Sequence, residues 1–365
     1  MFIRINQTHP YRGQFMSATL VSTRKALASG IALALGCAVA ASTQAAVIIP
    51  TKGGFSGYVN VGAGALSVKS NMLASIVNGK VEVGDKQVNN LSDDPNNSNG
   101  GAIPALNFEL SYTFADSRTQ VFVGNLLENY VQFDMSTLAG VRQDIGSAGL
   151  IGASLQTTSV DTQVWSDPYL TNAKRDDTDR TSKGYRVFWQ QFMSSGLEVR
   201  YTATEVDIDK ERSGESLALS TAQRHLLDRN GDVDRFDMLY EFSSQEERHT
   251  VTPGLAYIDR GLDGNAMAND GGNVSLNYIY KYDDNWRYVV NAAYGTFDYK
   301  EANPIYAFKD SVDEYGVSGT VFYTEPFGWK DWSFNATAGW YEEDHDIDFY
   351  DTQVGVVVFG MLRKF

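Results

Sequence analysis

The sequence predicts an all-β chain: an antiparallel, up-and-down transmembrane β-barrel of about 14 strands, within a range of about 12–16, with short turns at one end and long loops at the other. Three observations predict it. Residues 351–365 (DTQVGVVVFGMLRKF) place Val357, Phe359, Met361 and Phe365 on one side of an extended strand and end on an aromatic ring. Period-two alternation broken by turn residues recurs along the chain, and its connections alternate in length. Beyond one N-terminal run, no segment is long and apolar enough for a membrane helix, so spanning falls to strands whose backbone groups a closed sheet satisfies. The competing fold is a soluble β-sandwich, which has no need of charged residues at mid-strand inward positions.

At the N-terminus, Arg24 and Lys25 precede an apolar run over 26–41 and then Ser42-Thr43-Gln44-Ala45. Positive charge, apolar core and small-residue exit describe a secretory signal peptide over residues 1–45, leaving 46–365 as the barrel domain. The stretch before Met16 is long for such a signal and makes Met16 a second candidate start. The single cysteine, Cys37, lies inside the signal, so neither a disulfide framework nor a thiolate metal site is expected. Ala34-Leu35-Gly36-Cys37 matches a lipoprotein site only loosely, its large aliphatic displaced by one position. The signal holds four basic residues (Arg4, Arg12, Arg24, Lys25) and no acid, so removal takes the formal charge from −15 to −19. An acidic chain repels nucleic acid, which excludes that partner class.

The first predicted strand covers 55–68, and residues 69–101 after it read as a long, polar, mobile loop. From 105 to 114 the alternation is clean, with Leu106, Phe108, Leu110, Tyr112 and Phe114 on one face and Asn107, Glu109, Ser111 and Thr113 on the other. Further strands follow at 119–127, 130–144, 150–164, 184–193, 197–211, 233–243, 249–259, 273–283, 286–299, 312–324, 332–343 and 351–365. Short connections fall at 115–118, 146–149, 194–196, 244–248, 283–285 and 325–331. Long ones fall at 69–101, 165–183, 212–232 and 260–272, and the second outer connection, near Glu128 and Asn129, is brief. Aromatic residues gather beside the short turns, among them Tyr112, Phe114, Phe242, Tyr282, Trp286, Phe327 and Trp329, as a periplasmic girdle requires. In the closing strand Arg363 stands where an apolar residue is usual, and its length lets it snorkel to the headgroups.

The whole chain after the signal resembles a Gram-negative outer-membrane porin-type β-barrel. The stretch over 164–180 (VWSDPYLTNAKRDDTDR), with GFSGYVNVGAG over 54–64, resembles a proteobacterial barrel family known only as a domain of unknown function. The resemblance implies the outer membrane of a Gram-negative bacterium and supplies no substrate and no catalytic residue. Its expected partners are outer-membrane lipids and lipopolysaccharide, a small-molecule solute, and the barrel-assembly machinery through the closing strand 351–365.

Parity places Glu109, Arg142, Arg186, Glu198, Arg200, Arg235, Asp237, Glu241 and Arg287 inward, as lumen and selectivity candidates. They either set a transverse field across a polar lumen or pair with one another and stiffen it. Acidic stretches (Asp93-Asp94, Asp176-Asp177, 342–351) read as solvated outer loops, which with the negative total charge favour cation or neutral-solute entry. No metal or cofactor is expected. Asp228-Arg229-Asn230-Gly231-Asp232 misses the calcium-loop pattern, because its Gly comes two positions early and its twelfth residue is Leu239. Glu343-Asp344-His345-Asp346, at the expected outer rim, could make an acid-His hydrolytic site, but no acidic pair can be placed opposite it. Residues 216–227 carry helical spacing within an outer loop. The expected role is a channel for passive passage of small solutes and not an enzyme. A closed structural or surface-interaction barrel with adhesin or receptor loops is second, and an outer-membrane hydrolase a distant third.

Overall fold

Alternating side chains over most of the chain leave each strand one greasy and one mostly polar face, and the physical solution is a single sheet closed on itself. The computed structural model describes residues 47–365 apart from 93, 128–134, 245 and 247. The signal peptide, Cys37, Met16 and the connection near Glu128 and Asn129 lie outside the described residues.

Fourteen strands make the wall. They are β1 (Gly54–Ser70), β2 (Asn99–Phe114), β3 (Thr119–Leu127), β4 (Met135–Asp144), β5 (Leu150–Val160, continued by Thr162–Trp165), β6 (Asp177–Gln190) and β7 (Leu197–Ile208). The second half is β8 (Gly231–Tyr240, continued by Phe242–Ser243), β9 (His249–Leu262), β10 (Asn269–Lys281), β11 (Trp286–Tyr299), β12 (Ser311–Thr324), β13 (Trp332–His345) and β14 (Thr352–Lys364). Each pairs antiparallel with the next, and β14 returns to β1 over a register running from Tyr58↔Lys364 to Ser70↔Thr352. The end of the chain is clamped to its start: Gly57 N–H donates to Phe365 O at 3.0 Å and Phe365 N–H to Gly57 O at 3.1 Å. At this seam the strands lie so close that a Cβ on Gly64 would stand 2.2 Å from Val357 O, which only glycine avoids.

The outward face is apolar and unpartnered. Val61, Leu106, Leu155, Leu255, Val290, Val317, Val357 and Phe359 are all exposed, Phe359 by 64%. A soluble protein does not present such a band around its whole girth, whereas hydrocarbon accepts it. At the end bearing the termini, aromatic rings close the band: Phe55 meets Tyr112 and Tyr112 meets Phe114, each at 5.0 Å, and Trp286 lies 4.7 Å from Tyr323. Arg363 sits here too, its guanidinium 5.4 Å over the Trp332 ring. The barrel is therefore an integral protein of the Gram-negative outer membrane. No helix among the described residues is long and apolar enough to cross a membrane.

Several boundaries differ from the sequence reading for one reason: strands continue beyond the bilayer, where the alternation fades into polar residues. β2 begins at Asn99, β6 at Asp177 inside the predicted loop 165–183, and β13 runs to His345, so Glu342 to His345 are strand and not acidic loop. Residues 69–101 are not one continuous loop. Leu73–Ile76 and Val81–Glu82 form a small hairpin whose first strand bonds to β5 (Leu73↔Val164, Ser75↔Gln163). The helix in residues 216–227 is a single turn, Thr221–His225, started by a capping box between Ser220 and Gln223.

Candidate functional site

The lumen has two regions stacked along the barrel axis. Nearest the periplasmic end, inward positions are polar. On the β2–β4 wall, Arg142 donates to Glu109 at 2.5 Å and to Gln120 Oε1 at 2.7 Å, with its guanidinium 4.7 Å over Phe122. On the β6–β8 wall, Arg200 pairs with Glu198 at 2.6 Å, Arg235 with Asp237 at 2.7 Å, and Arg186 donates to Thr202 Oγ1 at 3.0 Å. At mid-height the β10–β13 wall and the facing part of β1 carry neutral polar groups: Asn277 donates to Asn291, Asn291 to Ser318 and Asn335 to Asn60.

Eight of the nine predicted residues thus form lumen walls, in two clusters plus one outlier. Arg287 stands apart on β11, its guanidinium 4.7 Å over Phe322. Glu241, the ninth, sits in the break between the two segments of β8, near the periplasmic rim, and accepts a long bond from Ser243. Lys281, directly opposite Arg287 in the ladder, and Lys364, opposite Tyr58, also face in. Against Glu109, Glu198, Asp237 and Glu241, the inward cations Arg142, Arg186, Arg200, Arg235, Arg287, Lys281 and Lys364 are the majority. The inside of this part of the barrel is positive although the chain as a whole is acidic.

Nearer the cell exterior the lumen is greasy, which departs from the wholly polar interior expected. Leu66 and Val68 of β1, Ile103 and Ala105 of β2 and Val354, Val356 and Val358 of β14 point inward and are buried. They pack on Leu73, Ile76, Val81 and Val83 of the inner hairpin, which lies inside the barrel. These faces pack directly on one another, so the same alternation that reads polar-in lower down reads apolar-in here.

Above the hairpin the outer loops close over the mouth as a cap with its own core. Val88, Tyr169, Leu227, Met267, Ile347, Phe349 and Tyr350 come from five different connections. Tyr169 and Tyr350 share a hydroxyl contact of 2.6 Å, and Asn303 donates to Tyr350 Oη at 2.7 Å. Arg175, 1% exposed, latches the first and third outer loops: it donates to the carbonyls of Asn71 (2.8 Å), Pro168 (3.0 Å) and Asp85, and lies 4.4 Å over Trp165. Burial lowers its pKa to about 10, so it stays charged at neutral pH. Asp167 accepts backbone N–H groups from Gly214 and Ser216, tying the third loop to the fourth. In the seventh loop, burial raises Asp351 to about 6 while its carboxylate accepts His345 N–H at 2.9 Å.

His345 is not at an open rim. Its Nδ1 lies 2.8 Å from Asp310 and its side chain is 6% exposed beneath the cap. Arg175 and Arg229 were missed because loops have no parity from which to read direction. Arg260 fell in a predicted connection. Glu314, which pairs with Arg260 at 2.8 Å, lies in the predicted strand 312–324 and its parity with Ser318 and Thr320 could have found it. No group of acidic, His or Cys residues with metal-holding geometry occurs among the described residues.

A family model described as a protein of unknown function (DUF2860) matches residues 54–364. No curated protein matches the sequence. Among solved structures, a Pseudomonas aeruginosa FadL homologue is 11% identical at a TM-score of 0.46, covering 85% of this chain and 90% of that one. The outer membrane channel DcaP of Acinetobacter baumannii is 10% identical (TM-score 0.43; 86% and 97% covered). A loop-deletion mutant of OmpT, an outer membrane protein of Vibrio cholerae, is 12% identical (TM-score 0.40; 86% and 99% covered).

Proposed function

Since the chain belongs to DUF2860, a protein family of unknown function, we propose from its own barrel that it is an outer-membrane channel for the passive passage of small solutes. One observation carries this reading: the barrel is wider than its own side chains can fill. About eight strands make a barrel whose interior side chains just meet, and diameter grows with strand number. Fourteen strands leave a surplus cross-section, and here a separate hairpin, Leu73–Ile76 with Val81–Glu82, occupies part of it. An anchor or a loop platform needs no such width. The hairpin and cap then act as the closed state of a gate, and Arg142, Arg186, Arg200, Arg235 and Arg287, with Glu109, Glu198, Asp237 and Glu241, set selectivity below it. Their positive balance favours anionic or neutral over cationic solutes.

Planar-bilayer recording from the folded protein tests the proposal. We expect discrete conductance, a reversal potential displaced toward the anion in a salt gradient, and a larger open fraction when residues 73–82 are replaced by a short Gly/Ser linker. Silence from pure, heat-modifiable protein, with and without the hairpin, refutes it. The well-packed cap favours a second reading, a closed barrel whose loops bind a surface partner. That reading predicts loop deletions that abolish partner binding while permeability stays unchanged. Nothing favours a hydrolase: His345 is buried beneath the cap with its Nδ1 held by Asp310 at 2.8 Å, and unchanged hydrolysis of peptide and ester substrates by His345→Ala is the expected result.

A further inference from the structure

Between the cap and the charged lower lumen lies a cavity of about 170 Å³. Its wall is mostly hydrocarbon, from Val206 and Ile208 of β7, Leu262 of β9, Val312 of β12 and Met267 of the fifth outer loop. Charged groups also reach it, Arg180 and Glu343 among them, but they are engaged within the protein, Glu343 accepting from Tyr341 at 3.4 Å in the field of Arg260 and His345. Arg260 holds Glu314 at 2.8 Å and donates to Asn269 at 3.0 Å, Arg229 holds Glu211 at 2.8 Å, and His345 holds Asp310 at 2.8 Å. Among the uncharged polar groups of the wall, one stands out. Tyr299 lines the cavity, and its hydroxyl has no hydrogen-bond partner among the described residues, although the residue is only 7% exposed.

We propose that this cavity binds a neutral, largely apolar molecule about the size of one six-membered ring with a single hydrogen-bonding substituent, and that this is the solute class of the channel. The size follows from volume: an apolar cavity of about 150 Å³ stays dry and takes up benzene. Neutrality follows from the wall, where the acids Glu314 and Glu343 stand with Arg260 and His345 in one mixed-charge cluster, so a charged ligand would give up its hydration for no single opposing charge. The single polar substituent follows from Tyr299, which can donate to or accept from it. A neutral molecule is also indifferent to the positive balance of the lower lumen. Assignment as transported solute rests on the channel reading; occupation of the cavity does not.

The test is equilibrium dialysis of p-cresol, toluene, benzoate and benzylamine against the full-length protein in detergent, with empty micelles as reference, on preparations also assayed for conductance. p-Cresol and toluene should show saturable excess uptake of one molecule per barrel, and the two charged probes none. Tyr299→Phe should weaken p-cresol about tenfold and leave toluene unchanged, the loss of one buried hydrogen bond. Val312→Trp, or Leu262→Phe as a milder filling variant, compared in heat-modifiable form, should remove both. Uptake that never saturates, or that survives filling, overturns the site while the channel reading stands. Saturable binding by a barrel that never conducts supports the site and overturns its assignment to transport. Benzoate binding as well as p-cresol overturns the claim of neutrality.

Discussion

Arg175→Met should unlatch the cap without unfolding the barrel. The substitution keeps an apolar stem against Trp165 but removes the donors to three carbonyls: Asn71 and Asp85 in the first outer loop and Pro168 in the third. A buried acceptor left without its donor costs about 1–3 kcal/mol, and a hydrogen bond from a charged group sits at the upper end. Three such losses, partly relieved as the loops relax and water enters, come to roughly 3–6 kcal/mol. That is two to four powers of ten in the equilibrium between a seated and a displaced cap, at about 1.4 kcal/mol per decade. None of the three carbonyls belongs to a pairing that closes the wall, so the loss falls on the loops. The assay is limited proteolysis of the first and third loops in folded protein, alongside channel recording. Cleavage should accelerate by at least about a hundredfold and the open fraction should rise, while the heat-modified shift on gels stays as in the parent. Equal cleavage rates in variant and parent would show that Arg175 fills space in a cap held by something else, and the argument from carbonyl satisfaction would be wrong.

Three other outcomes follow from the same geometry. Asp351 prefers its neutral form in the seated cap, with a pKa near 6 against an ordinary 3.8, so seating is favoured as pH falls from 6 toward 4 and weakened as pH rises through 6. Channel opening should therefore increase between pH 4.5 and 7.5, and Asp351→Asn should flatten that dependence in single-channel records. Glu198→Gln leaves Arg200 without its carboxylate and adds to the positive excess on the β6–β8 wall, so the reversal potential should move further toward the anion, while Arg142→Gln moves it back. Phe359→Lys puts an ammonium on the lipid-facing side of β14, where it should cost about 2–4 kcal/mol near the bilayer midplane; denaturant titration of refolding into vesicles reads it as a lower midpoint.

The wall of this barrel was legible because lipid imposes a rule on every strand, and the contents of the lumen were not because nothing comparable governs them. Leu106, Leu110 and Phe114 had to face hydrocarbon, which fixed the parity of β2 and sent Glu109 inward without any knowledge of its partner. The same counting set Arg142, Arg200 and Asp237 on inner walls, yet it could not say that Arg142 reaches across two strands to Glu109 or that Arg235 grips Asp237 on its own strand, since alternation reports a face and not a distance. It failed outright at β14. Val354, Val356 and Val358 interleave with the outward Val357 and Phe359, so that strand is apolar on both sides, and such a run signals burial on both faces. Lipid accounts for one face only. The other needed a greasy occupant inside the lumen, and the candidates were already in the chain: Leu73, Ile76, Val81 and Val83 are too apolar for a loop that stays in water. Two-sided hydrophobicity at the closing strand and surplus hydrophobicity in the first outer loop are a single signal, because each is the surface that buries the other.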